Sequence, residues 1–273
     1  MAEPLVLDGL WTEIEPLLPK HPPSPLGGAP RKPDRACLEG IVHVLKTGTQ
    51  WQQLPQCDLW PSGSTCWRRF KEWTLAGVWP QLHRRLLNLL GVAGEIDLDH
   101  VVVDSASLRA KKGGEHTGPN PVDRGKNGSK RHIISDAQGV PLIVTTTPAN
   151  IRDEAPFIGM LDTLPPIKMP SGQPRYQPSA AVGDRGYGFP FIIAQVIHRH
   201  IKSLLALRGS PHGSGLGKIR YVIERTMSWI GSFRRIDHCY ERTGSHWQAF
   251  NELACCIICA NKLRKIRRER RAA

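Results

Sequence analysis

The chain has 273 residues, of which 40% are hydrophobic and 22% charged, so it is long enough and apolar enough to bury a core and is not a disordered polymer. No run approaches about 18 consecutive apolar residues, and no basic segment followed by an apolar one opens the chain, so neither a membrane span nor a secretory signal is expected. The formal net charge of +13 points to a polyanionic partner, above all nucleic acid. An anionic membrane surface would require a basic helix with an aromatic apolar face.

Seven cysteines, an odd number without framework spacing, suggest reduced thiols in a cytoplasm. Cys256 and Cys259 form a C-x-x-C, but within an apolar helical run and without a second pair at zinc-site spacing, so they read as core.

Six of the eight tryptophans precede residue 80, which suggests that the first third packs as its own unit. A short helix around Leu10–Glu15 is stopped by Pro16 and Pro19, and the proline-rich stretch 20–34 reads as a loop. From Arg35, Leu38, Ile41, Val42 and Leu45 repeat at helical spacing until Gly48 closes the helix. A second helix begins near Ser64 and Thr65, with Trp67 and Phe70 turned inward and Arg68, Arg69 and Lys71 turned away. A third runs from Pro80 to Leu90. Three helices with a basic outer face on the middle one fit a helix-turn-helix-like DNA-binding region over residues 1–92, although a plain bundle with solvated arginines has the same spacing.

After Gly91–Gly94 the pattern changes. Val101, Val102 and Val103 suit a strand buried on both faces, which delivers Asp104 to its exposed end. A polar, glycine-rich segment follows. Arg131–Ser135 and Val140–Thr147 then make a hairpin around Asp136-Ala137-Gln138-Gly139. Asp153 caps a helix carrying Phe157, Ile158, Leu161 and Leu164. Ala180-Ala181-Val182 forms a strand running into Gly183-Asp184. A helix through Phe191–His198, a strand over Ile201–Leu207, a glycine-rich loop at 209–217 and a patterned helix over Arg220–Ile230 complete the series. The order β-β-β-α-β-α-β-α is that of a ribonuclease H-like mixed sheet flanked by helices. The expected class is α/β (α+β overall), with a catalytic domain over 96–265 and a basic tail at 266–273.

In that order the ends of the first and fourth strands adjoin, so Asp104 and Asp184 meet at one sheet edge. The Arg220–Ile230 helix would press Val222, Ile223, Met227, Trp229 and Ile230 on the sheet and lean Glu224 over the same edge, in a polar stripe with Arg220 and Ser228. Converging carboxylates repel one another unless hard divalent ions such as Mg²⁺ or Mn²⁺ relieve them. Two such ions about 4 Å apart can drive an in-line displacement at phosphorus. A trio of acids can be found among any 24, so the placement carries the weight. Between Arg109 and Arg131 seven basic residues face two acids, which makes Lys111, Lys112, Lys126, Lys130 and Arg131 candidates for gripping phosphates. His116 and His132 have no partner at metal-ligand spacing. They read as DNA contacts or plain surface.

The chain resembles bacterial DDE transposases of insertion-sequence family five, within the superfamily of families four and five. The likeness spans nearly its whole length. Leu17-Leu18-Pro19, the stretch from Thr47 to Pro55 and the stretch from Trp67 to Trp73 resemble the family's N-terminal DNA-binding region. The blocks VVVDSASLRAKKGGEHTGPNPVDRGKNGSKRH, GDRGYG and PHGSGLGKIRYVIERTMSWIGSFRRIDHCYER resemble its three catalytic motifs. The resemblance implies that Asp104, Asp184 and Glu224 are the catalytic, metal-binding triad, served by Mg²⁺ or Mn²⁺. It also implies binding of terminal inverted repeats and target DNA as a dimer or larger assembly, cleavage that exposes a 3′-hydroxyl, and strand transfer by that hydroxyl. Such a protein would act at the bacterial nucleoid, in the cytoplasm. The family's Tyr-Arg-Glu-Lys signature is met by Arg220 four residues before Glu224, but Gly231 stands where the lysine is expected. The nearby Arg234 and Arg235 are expected to supply the lysine's positive charge instead, and with Arg225 they complete the candidate DNA contacts. An inert DNA-binding repressor and a purely hydrolytic nuclease are the rival readings.

Overall fold

The computed structural model describes residues 5–22, 30–209 and 217–272. Four helices come first: α1 (Asp8–Ile14), α2 (Asp34–Thr47), α3 (Gly63–Leu75) and α4 (Val78–Val92). α2 stops where Gly48 takes a left-handed φ of 73° and its N–H bonds back to the Val44 carbonyl, a conformation that a side chain would strain. α3 starts one to two residues earlier than expected, with Ser62 at its cap.

The second part contains β1 (Val101–Arg109), β2 (Gly118–Pro119), β3 (Asn127–Asp136), β4 (Pro141–Pro148), α5 (Phe157–Asp162), β5 (Ile167–Lys168), β6 (Pro174–Arg175), β7 (Ala180–Gly183), α6 (Pro190–His198), β8 (Lys202–Leu205), α7 (Gly217–Gly231), α8 (Arg234–Asp237) and α9 (Gly244–Ala272). The sheet runs β4-β3-β1-β7-β8, with short β2 beside β3. β1 is antiparallel to β3 and parallel to β7, and β7 is parallel to β8. This is the ribonuclease H-like order and mixed sense that the element pattern anticipates. Val101–Val103 are fully buried, as a strand covered on both faces requires.

Four expectations change. The first third is not a unit of its own: its aromatic side chains share one core with α9, where Phe70 stacks on Phe250 at 4.2 Å between ring centroids and Trp51 lies 6.0 Å from the same ring. β1 does not stop at Asp104 but continues to Arg109, because β3 still pairs with it through that point. Asp153 caps nothing, since α5 begins only at Phe157 after Pro156. The basic tail is the last part of α9, a 29-residue helix whose apolar middle, including Cys255, Cys256 and Cys259, is buried against α4 and β4. Most of the expected 209–217 loop lies outside the described residues.

Candidate active site

β7 lies beside β1 with Val101 opposite Ala181 and Val102 opposite Val182. One step on, a methyl group added to Gly183 would come within 2.9 Å of Leu205 and 3.0 Å of Val103, so the strands close only over a bare backbone. β7 then ends. The chain turns at Asp184, whose Oδ1 accepts the Gly186 N–H at 2.8 Å. β1 runs on without a neighbour on that flank, which leaves Asp104 half-buried beside Asp184.

α7 packs Val222, Ile223, Thr226 and Ile230 inward and sends Arg220 over the gap. Its Nη2 lies 3.6 Å from Asp104 Oδ2 and 3.7 Å from Asp184 Oδ2. One guanidinium thus bridges the two carboxylates by charge at distances beyond good hydrogen bonding. The Arg220 Nε is buried with no partner. Burial pushes the Asp104 carboxyl above the usual carboxylate range. The Ser105 N–H at 2.8 Å and the Arg220 charge pull it down, and Asp184 and Asp153 push it up again.

Asp153 approaches from the other face of the sheet. Ser105 Oγ donates to its Oδ1 at 2.6 Å, and Lys130 Nζ sits 2.8 Å from the same oxygen while also bonding the Ile151 carbonyl at 2.7 Å. Burial raises the Asp153 carboxyl, but the Lys130 and Ser105 bonds outweigh it and hold the group below its ordinary range. A methyl group built on Gly186 would sit 2.9 Å from Asp184 Oδ1 and 3.7 Å from Asp153 Oδ2, so both oxygens border one small space above the glycine. The Tyr187 hydroxyl, buried and without a well-aligned hydrogen bond, is raised far above its ordinary pKa by burial and then by Asp104 and Asp153, against a smaller pull from the nearby Ser105 side chain.

Glu224 lies on α7 one turn beyond Arg220, exposed and in no ion pair with the described residues. Among the described residues no three His, Cys, Asp or Glu side chains converge closely enough to hold a metal ion. The local chemistry nevertheless suits a hard divalent cation: oxygen donors, a cradle that a Cβ would fill, a buried hydroxyl without a well-aligned hydrogen bond, and a guanidinium standing as cation between the two aspartates.

The expected DNA-contact residues divide. Arg68, Lys71, Lys111, Lys112, Lys126, Arg225 and Arg234 are exposed. Lys71 lies over the Trp67 ring and Lys111 over Tyr240, while Arg225 lies over Tyr221 and Trp229 and donates to the Gln138 carbonyl. Trp229, expected in the apolar face of α7, is 41% exposed beneath that guanidinium.

Four other candidates are not surface cations. Arg69 is 8% exposed and pairs with Asp34 at 2.8 Å and Glu72 at 3.3 Å, because it falls one turn from Cys66 and from Trp73 on the buried side of α3. Lys130 and Arg131 belong to β3, not to a loop. Lys130 serves Asp153, and Arg131 is buried at 2% exposure with one bond, to the Ile236 carbonyl at 3.5 Å. Burial lowers the Arg131 pKa to about 10. Arg235 pairs with Glu241 at 2.9 Å inside a cage of Trp51, Tyr240 and Phe250. It cannot replace the signature lysine that Gly231 lacks. His132 is likewise buried, bonded to Thr147 at 2.9 Å, and lowered to about 4 by burial.

Comparison with known proteins now decides the family. A model of the transposase DDE domain matches residues 95–260, and one described as a putative transposase of the IS4/5 family (DUF4096) matches residues 6–83. The chain belongs to the DDE transposases of the IS4/5 family. Among its relatives, a putative transposase for insertion sequence element IS402 from Burkholderia cepacia is 43% identical over 149 residues, covering 55% of this chain and 71% of that protein. An uncharacterized 16.2 kDa protein of the same insertion element and organism is 47% identical over 123 residues, covering 44% of this transposase and 84% of the relative. Among solved structures, the Mos1 mariner paired-end complex with Mn is 12% identical, covers 89% of this chain and 82% of that one, and has a TM-score of 0.27. At that score the fold rests on the transposase's own strand order, and the likeness adds nothing to it. No helix among the described residues is long and apolar enough to cross a membrane.

Proposed function

We propose that this transposase binds the terminal inverted repeats of its element, cuts at each end to expose a 3′-hydroxyl, and joins that hydroxyl to target DNA at the same site, working as at least two copies so that both ends are held. The observation that supports this best is the pairing of Asp104 with Asp184 where β7 ends beside β1. In this reading Asp104, Asp184 and Glu224 would hold Mg²⁺ or Mn²⁺, probed as one or two ions. When bound, such ions supply Lewis-acid activation of the phosphate and of the attacking hydroxyl or water.

The chain's own residues do the rest. Gly183 lets β1 and β7 close so that the two aspartates are held by backbone, not by flexible stems. α7 carries Glu224 one turn beyond Arg220 on one polar stripe, about 6 Å along the axis, so a shift of the helix along its axis or a change of both side-chain rotamers would exchange the guanidinium for the carboxylate at the aspartate pair. Arg220, once released from that pair, is placed to neutralise a phosphate. Arg68 and Lys71 on α3, and Lys111, Lys112 and Lys126 after β1, supply exposed positive charge for the flanking duplex.

The test is cleavage of a duplex carrying the element's end by the full chain with Mg²⁺, read on a denaturing gel. Asp104→Asn, Asp184→Asn and Glu224→Gln should each abolish it and leave duplex binding intact. Full cutting by any of them overturns the triad. No cutting by the unsubstituted chain in Mg²⁺ or Mn²⁺ favours a repressor with an inert core. Nicks without joined products identify a hydrolytic nuclease.

A further inference from the structure

The triad places every acidic residue on the strands and helix at the α7 side of the sheet edge, yet the carboxylate best organised around that edge comes from the opposite face. We propose that Asp153 is a further acidic residue of the metal site, holding a divalent cation from the side away from α7 in the space above Gly186 that it shares with Asp184. The inference rests on the metal-dependent reading of Asp104 and Asp184 given above.

Three observations carry it. The first is placement. Asp153 lies in the crossing segment between β4 and α5, and Ser105, the residue next to Asp104, fixes one of its oxygens at 2.6 Å. Its other oxygen borders the gap above Gly186 on which Asp184 also opens. The second is charge. Asp104, Asp184 and Asp153 bring three negative charges to one edge, while Arg220 and Lys130 bring two positive ones, so the edge retains an unmatched anion even before Glu224 is added. A neighbouring cation is the simplest group to complete that set.

The third observation is Tyr187. Its hydroxyl is buried at 2% residue exposure, makes no well-aligned hydrogen bond although the Ser105 side chain is within its reach, and lies within the field of Asp104, Asp153 and Asp184. Buried hydroxyls are normally satisfied. One left open beside three carboxylates fits a water or an ion that completes its bonding. A helix cap, the role that the local sequence suggests for Asp153, explains none of this, because its Oδ1 meets both Ser105 and Lys130 and neither oxygen bonds an amide of α5.

The experiment is Mn²⁺ binding to the full chain without DNA, with free Mn²⁺ counted by electron paramagnetic resonance. Unsubstituted protein, Asp104→Asn and Asp153→Asn are compared, and circular dichroism checks that each is folded. Asp153→Asn should weaken Mn²⁺ binding about tenfold or more, the scale seen for residues that support a metal site. Because Asp153→Asn strands Lys130 and could loosen the fold, Lys130→Gln/Asp153→Asn is measured beside it and should show the same weakening.

Loss of binding in Asp104→Asn with unchanged affinity in both Asp153 variants overturns the role of Asp153 and leaves the aspartate pair as the metal site. Absence of Mn²⁺ binding by the unsubstituted chain overturns both. A second readout separates ligation from mere support of the fold. Asp153→Cys should lose Mg²⁺-dependent cleavage and keep more of the Mn²⁺-dependent reaction, since a thiolate accepts Mn²⁺ more readily than Mg²⁺. Equal loss with both ions overturns ligation by Asp153.

Discussion

Two clusters of charged side chains lie in this molecule, one in the helical first third and one at the sheet edge, and their bookkeeping differs. In the first, Arg69 and Arg31 face Asp34 and Glu72 through contacts of 2.8 to 3.6 Å, with His21 also on Glu72. Two permanent cations meet two anions and the cluster is closed. At the sheet edge, three carboxylates meet Arg220 and Lys130, two of their oxygens lie within 4 Å of the place a Gly186 side chain would take, and a buried tyrosine hydroxyl makes no well-aligned hydrogen bond. A balanced cluster has settled its electrostatics within the fold. An unbalanced one has room for a charge from outside, and under the proposed function that distinction would separate the structural charges of this chain from its functional ones.

The comparison can be broken experimentally. The largest effect belongs to Asp104→Asn or Asp184→Asn: cleavage of an element-end duplex should fall by about a thousandfold or more, equivalent to at least roughly 4 kcal/mol of barrier. A denaturing gel with a metal titration measures it, and a residual rate within tenfold of the unsubstituted chain would mean that the edge is not the catalytic centre. Arg69→Met should do the opposite. It strips the cation from Asp34 and Glu72, so stability should drop by about 2–3 kcal/mol, less than for a wholly buried pair because Arg31 remains and both acids are partly exposed. Cutting per folded molecule should not change. Urea melts and an active-site-normalised rate test the pair of expectations.

Acid should separate the two halves of the core next. His83 on α4 is buried, and its Nε2–H donates to the Pro141 carbonyl of β4 at 2.9 Å. Burial lowers its pKa to about 4, against a small opposing pull from that carbonyl. The neutral ring is favoured in the fold, so its contribution is present above the unfolded value near 6.5 and is lost as pH falls towards 4. His83 should contribute a loss on the order of 3 kcal/mol across that window in chemical melts, His132, also lowered to about 4, should add to it, and His83→Gln should remove only the His83 share. The smallest effects concern the two bridging and surface cations. Arg220→Gln should tighten Mn²⁺ binding several-fold without DNA, since it removes the cation that competes at Asp104 and Asp184. Arg68→Ala should weaken duplex binding and lower its salt slope by about one, by titration at several salt concentrations.

Much of the edge was legible in the chain itself. Three valines ending on Asp104 and Ala180-Ala181-Val182 ending on Gly183-Asp184 specify buried strands that release carboxylates, and the hairpin signal at Asp136–Gly139 supplies the antiparallel partner. Asp153 was not, because its partners Ser105 and Lys130 lie far from it in sequence and its own neighbourhood imitates a helix start. Arg69 carried a usable signal. It sits three residues after Cys66 and four before Trp73, on the stripe that packs, and the run of basic neighbours concealed that spacing. The contribution of α9 was hidden for another reason: the helix is apolar in the middle and basic at its end, so local pattern divides what the fold keeps whole.

That helix has a consequence for how the enzyme would measure DNA. At 29 residues it is about 43 Å long, comparable to roughly a dozen base pairs, and it packs against both α4 and β4. The exposed cations of α3 and the aspartates of the sheet edge are therefore mounted on one stiff beam, not on two lobes joined by a hinge. If the proposed function holds, a duplex seated on one would be presented to the other at a set spacing, and the distance in base pairs between the recognised sequence and the cut would be built into the protein as a ruler.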